Sequence, residues 1–94
     1  MIRFTWDPAK AAANKKKHGV AFEEAQTVFY DETAIQYDDP DHSDEEDRFL
    51  MLGLSAKLRI LMVSHAFRDD ERVVRIISAR KATKGEESAY WRKS

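Results

Sequence analysis

The sequence contains no cysteine, and only two prolines and three glycines occur among its 94 residues. The absence of cysteine excludes disulfides and thiolate metal sites. No apolar run approaches the roughly 18 residues needed to cross a membrane, and residues 1–20 lack the pattern of a signal peptide. We therefore expect a cytoplasmic protein with a single domain, residues 1–94, which depends on one hydrophobic core for its stability.

Several common functional motifs are also missing from the chain. It contains no P-loop, no G-x-G-x-x-G, no H-E-x-x-H and no Ser-His-Asp spacing. These patterns build phosphate cradles, dinucleotide sites, zinc sites and serine nucleophiles, so their absence argues against the common nucleotide-binding folds and hydrolases. We accordingly expect no cofactor.

Charge is distributed unevenly along the chain, although the net charge is only −1. Residues 38–47 hold seven acidic residues and no lysine or arginine, whereas residues 57–94 hold ten basic and five acidic residues. A basic C-terminal half suits a polyanion such as RNA or DNA, and equally a solvated surface on which charge is segregated. The acidic segment lacks the turn glycine and spacing of an EF-hand. We therefore predict a solvated loop that binds no metal. Alternatively, the acidic residues repel RNA and direct it toward the basic side of the protein.

Hydrophobic periodicity and capping signals predict five strands and three helices. Asp7 and Pro8 form an N-cap with a first-turn proline, Gly19 suits a left-handed helix end, and Thr83 with Glu86 forms a capping box. The predicted strands span residues 2–6, 32–39, 48–54, 58–67 and 73–80, and the predicted helices span residues 8–19, 20–31 and 83–91.

This order of elements, β-α-α-β-β-β-β-α, predicts an α+β domain. The last three strands are joined by short polar turns, which produce antiparallel hairpins. Helices that are separated in sequence from such a meander pack on an antiparallel sheet. The sequence shows no internal repeat and no linker.

Strict alternation along the last two strands assigns their polar residues to faces. In residues 58–67 the alternation places His65 on one face, and Ala66 and then Arg68 on the other. In residues 73–81 it places Arg80 on one face, and Arg75 and Lys81 on the opposite face. Alternation alone does not establish which of these basic residues meet in space.

The basic residues near the strand ends suit the chemistry of RNA cleavage. RNA carries its own nucleophile, the 2′-hydroxyl, so a ribonuclease needs only proton transfer and cations around the phosphorus. Histidine exchanges a proton near neutral pH, and the arginine fork binds phosphate at two points. Alternatively, His65 is a buried structural residue, and the same residues bind DNA without cleaving it. The basic residues concerned are Arg48, Arg68, Arg75, Arg80 and Lys81.

Two long blocks of the chain resemble the BrnT family, the toxin components of bacterial type II toxin–antitoxin modules. The first block is FTWDPAKAAANKKKHGVAFEEAQTVFYD, and the second is VSHAFRDDERVVRIISARKATKGEESAY. The resemblance implies a fold related to RelE-type toxins and cleavage of RNA that halts translation. It further implies a ribbon-helix-helix antitoxin that neutralises the toxin and, in complex with it, represses the operon. RNA and this antitoxin are thus the expected partners, operator DNA is contacted only through the complex, and a homodimer or a 2:2 complex is possible.

We expect Arg80 and His65 of the second block to be catalytic, together with Arg48, which lies between the two blocks. The arginines bind phosphate and stabilise the transition state, and the histidine transfers protons. Arg68, Arg75 and Lys81 are expected to position RNA, and no residue is expected to bind a metal. Where the family usually has Thr-Glu, this chain has Ala66-Phe67. The departure leaves open an alternative, a catalytically degenerate homologue that acts as an antitoxin-binding co-repressor. Asn14 and Gly19, in the first block, are predicted to end a helix and turn the chain.

Overall fold

The computed structural model describes residues 2–41, 47–68, 70 and 72–93. Within these residues the elements follow the predicted order, with one 3₁₀ turn, Val28–Tyr30, after the second helix. The strands are β1 (Arg3–Thr5), β2 (Ile35–Asp38), β3 (Arg48–Leu54), β4 (Ile60–Arg68) and β5 (Val73–Lys81). The helices are α1 (Pro8–His18), α2 (Phe22–Thr27) and α3 (Lys84–Lys93). None of the described helices is long and apolar enough to cross a membrane.

The predicted caps delimit α1 and α3. The Asp7 carboxylate accepts a hydrogen bond from the Ala9 backbone N–H at 2.8 Å, and Gly19 ends α1 with a φ of 69°. The Glu86 N–H donates to Thr83 Oγ1 at 3.1 Å, and the Thr83 N–H donates to Glu86 Oε1 at 2.9 Å. These bonds satisfy N–H groups that the first turn of a helix leaves without intrahelical partners.

The strands form one five-stranded sheet in the order β1-β5-β4-β3-β2. As predicted, β2 to β5 form an antiparallel meander. β1 pairs with β5 in parallel, so the sheet as a whole is mixed. The two strands lie near opposite ends of the chain and no hairpin links them, so turn geometry does not constrain their relative direction. The α+β class and the order of elements are confirmed.

The sheet is covered on both faces, but to different extents. α1 and α2 pack on one face over the larger core, which includes Phe22, Leu61, Val63, Val74 and Ile76. α3 packs on the other face over a smaller core, formed by Leu52, Ile60, Met62 and Tyr90. Because the smaller core lies at the end where β3 finishes and β4 begins, the rest of this face is left to polar side chains.

A β-bulge in β5 changes which residues share a face. Ser64 pairs with Ser78, but His65 pairs with Ile76, so Ile77 is an extra residue without a cross-strand partner in the ladder. An extra residue shifts the alternation of every side chain beyond it. Arg75 therefore lies on the same face as Arg80, and the face predicted for Arg75 from strict alternation is wrong.

Candidate functional site

The sheet face on the α3 side brings three of the predicted site arginines together. Arg48 and Arg75 are the cross-strand neighbours of Ala66, one on either side. The next row towards α3 contains Ser64 paired with Ser78, and the row after it pairs Arg80 with Met62. We call the surface formed by Arg48, Ser64, Arg75, Ser78 and Arg80 the arginine face.

The spacing of a sheet gives the arginine face its dimensions. Arg48 and Arg75 are separated by two interstrand steps, or about 10 Å between their Cα atoms. Arg80 pairs with Met62, which lies four residues before Ala66 along β4, so the row of Arg80 is about 13 Å from the row of Arg75. Ala66 is only 1% exposed because it is flanked by two long side chains, whereas Ser78 is exposed. An anion that contacts all three arginines must therefore extend over more than about 10 Å along this face.

Arg80 is held in place by Glu86 at the start of α3. Its Nη1 donates to Glu86 Oε1 at 2.8 Å and its Nη2 donates to Oε2 at 2.9 Å, a two-point contact. The hydrogen bonds and the charge of Arg80 lower the pKa of Glu86, and Glu86 raises the pKa of Arg80. Both groups are therefore charged at neutral pH. The Arg80 side chain remains 41% exposed, so it is open to a second anion although it already has a carboxylate partner.

A cleft of about 380 Å³ opens beside this ion pair, between α3 and the strands β2, β3 and β4. Apolar side chains line most of it, and two acidic residues, Asp38 and Glu86, belong to its wall. Tyr37, on the edge strand β2, is 39% exposed. The residues that line the cleft are Tyr37, Asp38, Leu50, Leu52, Met62, Gly85, Glu86 and Ala89.

The surroundings of Arg48 are more acidic. A second depression of about 350 Å³ is lined by Arg48 together with Asp38, Asp39 and Asp47. Asp39 is only 6% exposed, and its backbone N–H donates to the Arg48 carbonyl at 3.0 Å. Carboxylates at this end of the arginine face weaken the attraction of Arg48 for an anion, so Arg80 lies in the more favourable position to bind one.

His65 lies on the opposite face of the sheet and is fully buried. Its Nδ1 is 3.1 Å from the Val63 carbonyl oxygen, and the ring contacts Phe29 and Phe67 at centroid distances of 4.8 and 5.4 Å. Burial lowers the pKa of this imidazole and so favours its neutral form. The structure does not bring His65 together with the arginines, and both ring nitrogens already lie near protein acceptors, Nδ1 near the Val63 carbonyl and Nε2 at 3.3 Å from Gln36 Oε1.

The other two predicted RNA-positioning residues also separate. Arg68 is exposed and lies on the arginine side of the sheet, two residues beyond Ala66 at the end of β4. Lys81 pairs with Leu61 and therefore points to the face covered by α1 and α2. Of the six predicted site residues, four thus share one face: Arg48, Arg68, Arg75 and Arg80.

The acidic segment predicted to be a metal-free loop falls partly outside the described residues, since residues 42–46 are not among them. In the parts of the chain that the structure describes, no group of three or more His, Asp or Glu side chains is placed to hold a metal ion.

Sequence reasoning missed two features of the candidate site. It identified Glu86 as the last residue of a capping box, but not as the partner of Arg80. It treated Tyr37 only as part of a strand. The separation of six residues between Arg80 and Glu86 gave a signal for the first, because a strand followed closely by a capped helix brings such side chains together. No sequence signal placed Tyr37 beside α3.

Comparison with known proteins supports the resemblance inferred from the sequence. A family model described as the ribonuclease toxin BrnT of type II toxin–antitoxin systems matches residues 6–86. The 1.1 Å crystal structure of the Brucella abortus ribonuclease toxin BrnT aligns with a TM-score of 0.65 and 23% sequence identity, covering 89% of this chain and 100% of that one. At this level of identity the structural likeness shows a common fold. No curated protein matches the chain.

Proposed function

The chain belongs to the BrnT family of ribonuclease toxins of type II toxin–antitoxin systems, and from this premise we propose that its arginine face binds and cleaves RNA. In this proposal Arg80 binds the scissile phosphate, Arg48 and Arg75 hold the neighbouring backbone, and Arg68 extends the contact at the strand end. The observation that carries the proposal is the bulge at Ile77, which places Arg75 on the same face as Arg80.

The proposed reaction uses the 2′-hydroxyl of the substrate as nucleophile. The 2′-oxygen bonds to phosphorus as the bond to the 5′-oxygen breaks, which leaves a 2′,3′-cyclic phosphate and a 5′-hydroxyl. Guanidinium groups keep their charge at neutral pH and stabilise the crowded, more negative phosphorane. Because the nucleophile is internal and the counter-charge comes from arginine, the proposal includes no metal. Water carries the proton from the 2′-hydroxyl and supplies the proton to the 5′-oxygen.

We assign His65 a structural role in place of the proton transfer expected from the sequence. A general acid or base must come within hydrogen-bond distance of the proton that it transfers. The fully buried ring of His65 lies across the sheet from Arg80. Aromatic side chains, including Phe67, pack around the ring, and its Nε2 lies 3.3 Å from Oε1 of Gln36.

Membership of a toxin–antitoxin family implies an antitoxin partner. We propose that this antitoxin carries a ribbon-helix-helix DNA-binding domain, that the complex represses its own operon, and that cleavage of RNA by the free toxin inhibits translation. The resemblance of the two sequence blocks supports these points.

RNA cleavage by the purified chain tests the proposal. We expect a labelled RNA to be cut in the presence of EDTA, with cyclic phosphate ends, and the same sequence made of DNA to remain intact. Arg80→Ala should lower the rate about 100-fold or more, the loss typical of one electrostatic contact to a transition state. Arg92→Ala, which removes an exposed arginine from the end of α3, is the matched control and should leave the rate unchanged.

Two further variants separate chemistry from folding. Arg80→Ala leaves the Glu86 carboxylate without its two-point partner, so the double variant Arg80→Ala/Glu86→Gln removes that unpaired charge. Both variants should be inactive while their circular dichroism spectra stay unchanged. Full activity in either variant, or loss of cleavage in EDTA, would contradict the proposed mechanism.

A second candidate function, an antitoxin-binding co-repressor without nuclease activity, is favoured by one observation. Arg80 already holds a carboxylate at two points, and RNA must compete with Glu86 for it or share it. Inducing the chain alone in a bacterium discriminates the two. Growth arrest with shortened transcripts that an antitoxin relieves supports the nuclease, and tight antitoxin binding without arrest supports the co-repressor.

A further inference from the structure

We propose that the cleft between α3 and the strands β2, β3 and β4 binds one nucleobase of the RNA, next to the phosphate held by Arg80. Tyr37 provides the stacking ring at its rim. The inference rests on the proposed function, because it takes the arginine face as the path of the RNA backbone. It adds a subsite that reads the base, whereas the arginines contact only the phosphates.

The position of the cleft relative to Arg80 is the first argument. Met62 lines the cleft and is the cross-strand neighbour of Arg80, so their Cα atoms are about 5 Å apart. Glu86 lines the cleft as well, and it holds the Arg80 guanidinium at 2.8 and 2.9 Å. A phosphate at Arg80 would therefore lie at the mouth of the cleft, within one nucleotide of a base inserted there.

The shape and chemistry of the cleft provide the second argument. Leu52 and Met62 are 1% and 6% exposed and form an apolar floor, and Ala89 of α3 forms the facing wall with its small side chain. Tyr37 stands at the rim and is 39% exposed. The planar ring of a nucleobase can lie against this apolar floor and stack on Tyr37, because every base has an aromatic face that stacks on such side chains.

Charge complementarity distinguishes a nucleotide from an uncharged apolar occupant. Arg80 pairs with Met62 of the cleft floor, and along the same sheet face the next rows hold Ser64 with Ser78 and then Arg75. An apolar side chain of a protein partner would fill the cleft but would make no ionic contact with the part of the Arg80 side chain that stays exposed beside Glu86. A nucleotide supplies both parts, an aromatic ring for the cleft and an anion for the arginines.

The carboxylate at the cleft wall favours a base with an amino group. Glu86 accepts two bonds from Arg80 and one from the Thr83 N–H. An ionised carboxylate has about four acceptor sites, so one remains. It can accept a hydrogen bond from the exocyclic amino group of adenine, cytosine or guanine, whereas uracil offers only its ring N3–H as a donor.

Binding to uncleavable oligonucleotides tests the subsite. The probes are fluorescent 2′-O-methyl oligoadenylate, 2′-O-methyl oligouridylate and an abasic oligomer of the same length, each measured by anisotropy. We expect the protein to bind oligoadenylate about tenfold more tightly than the abasic oligomer, a factor within the range of base–aromatic stacking. We expect oligouridylate to bind more weakly than oligoadenylate.

Variants of the cleft assign the effect to Tyr37. Tyr37→Ala should reduce the advantage of oligoadenylate over the abasic oligomer to less than twofold, while leaving affinity for the abasic oligomer unchanged. Tyr37→Phe keeps the ring and should keep the advantage. Tyr30→Ala, which removes a 66% exposed tyrosine elsewhere, is the control and should change nothing. Ala89→Leu fills the cleft from α3 and should abolish the advantage with Tyr37 still present.

The outcomes separate this inference from the proposed function. If the protein cleaves RNA but binds base-bearing and abasic oligomers equally, the subsite is refuted and the nuclease stands. If it prefers base-bearing oligomers through Tyr37 but cleaves no RNA, the nuclease is refuted and the subsite stands. If Tyr37→Ala and Ala89→Leu weaken antitoxin binding without changing the preference for oligoadenylate, the cleft belongs to the antitoxin and the inference is overturned.

Discussion

Replacing Asn14 by alanine removes the side chain that fastens α1 to β5. The amide Nδ2 donates to the Val20 carbonyl at 3.0 Å and to the Ala79 carbonyl at 2.9 Å, and Oδ1 accepts from the Ala79 N–H at 3.0 Å. β1 pairs with β5 only at residues 73–75 of β5. Asn14 therefore provides hydrogen-bond partners for the Ala79 backbone, which lies beyond the end of that pairing. The sequence prediction assigned this residue only to the end of the helix.

The magnitude follows from the backbone groups left behind. A buried polar group that loses its partner costs about 1–3 kcal/mol, and three such groups lose one here. Asn14 is 7% exposed, so water can reach part of the vacated space and the lower end of the range applies. We expect Asn14→Ala to reduce the free energy of unfolding by about 3 kcal/mol, a large part of the roughly 5–15 kcal/mol that stabilises a typical domain.

Urea unfolding followed by far-UV circular dichroism measures this loss. With an m-value of about 1 kcal/mol per molar urea, the midpoint should fall by about 3 M while the slope stays constant. Asn14→Asp is nearly isosteric but places an acceptor opposite the Val20 and Ala79 carbonyls, so it should be as unstable as the alanine variant. Lys16→Ala, exposed on the same helix, should stay within about 0.5 kcal/mol of the parent. A loss below 1 kcal/mol for Asn14→Ala would refute the reasoning.

Three further substitutions test packing and charge. Gly53→Ala places a methyl group 2.7 Å from a valine methyl carbon of the 3₁₀ turn and should cost about 1–3 kcal/mol in urea unfolding. Gly85→Ala, whose nearest neighbour is at 4.0 Å, should leave stability unchanged or raise it by up to about 1 kcal/mol, because the residue lies in α3 and alanine favours a helix over glycine. The hydrogen bonds from Arg59 lower the pKa of Glu24 below 4.5, so the stability that they add is present above that pH and lost as the pH falls through the folded-state pKa. Glu24→Gln should therefore be less stable than the parent by about 1–2 kcal/mol at pH 7, and this difference should close in acid unfolding below about pH 4. Burial lowers the pKa of His65 below 6.5, so the unfolded state binds the proton more readily than the folded state. The stability of the parent protein relative to His65→Phe should therefore decrease as the pH falls below about 6.5. RNA cleavage by His65→Phe should stay within a few-fold of that by the parent.

Local signals in the sequence were sufficient for much of the fold. The helix ends were predictable at Asp7, at Gly19 and at the pair Thr83–Glu86, because the side chains or backbone conformations that end or begin a helix act within a few residues. Short turns made the meander antiparallel for the same reason. The direction of β1 relative to β5 depends on a pairing between distant parts of the chain, so no local sequence pattern predicted that the two strands are parallel.

The site was less accessible to sequence reasoning because it depends on one extra residue in a ladder. Strict alternation placed Arg75 opposite Arg80, and the bulge at Ile77 reverses that assignment. His65 was placed correctly on the face of Leu61 and Val63, but alternation does not show which face is covered by helices. His65 is buried because α1 and α2 pack on that face of the sheet, and the sequence pattern does not indicate which face they cover.

The presentation of Arg80 links the stability of the fold to the proposed chemistry. The bulge at Ile77 sets the face on which the residue lies, and Asn14 fixes the backbone of the preceding residue, Ala79. Glu86 fixes the guanidinium itself, and the same carboxylate caps α3. The contacts of Asn14 and Glu86 come from different segments of the chain, α1 and α3, and we expect a change in either to alter the position of Arg80. Variants at Asn14 should therefore lose nuclease activity in parallel with stability, whereas Arg80→Ala should lose activity while the protein remains folded.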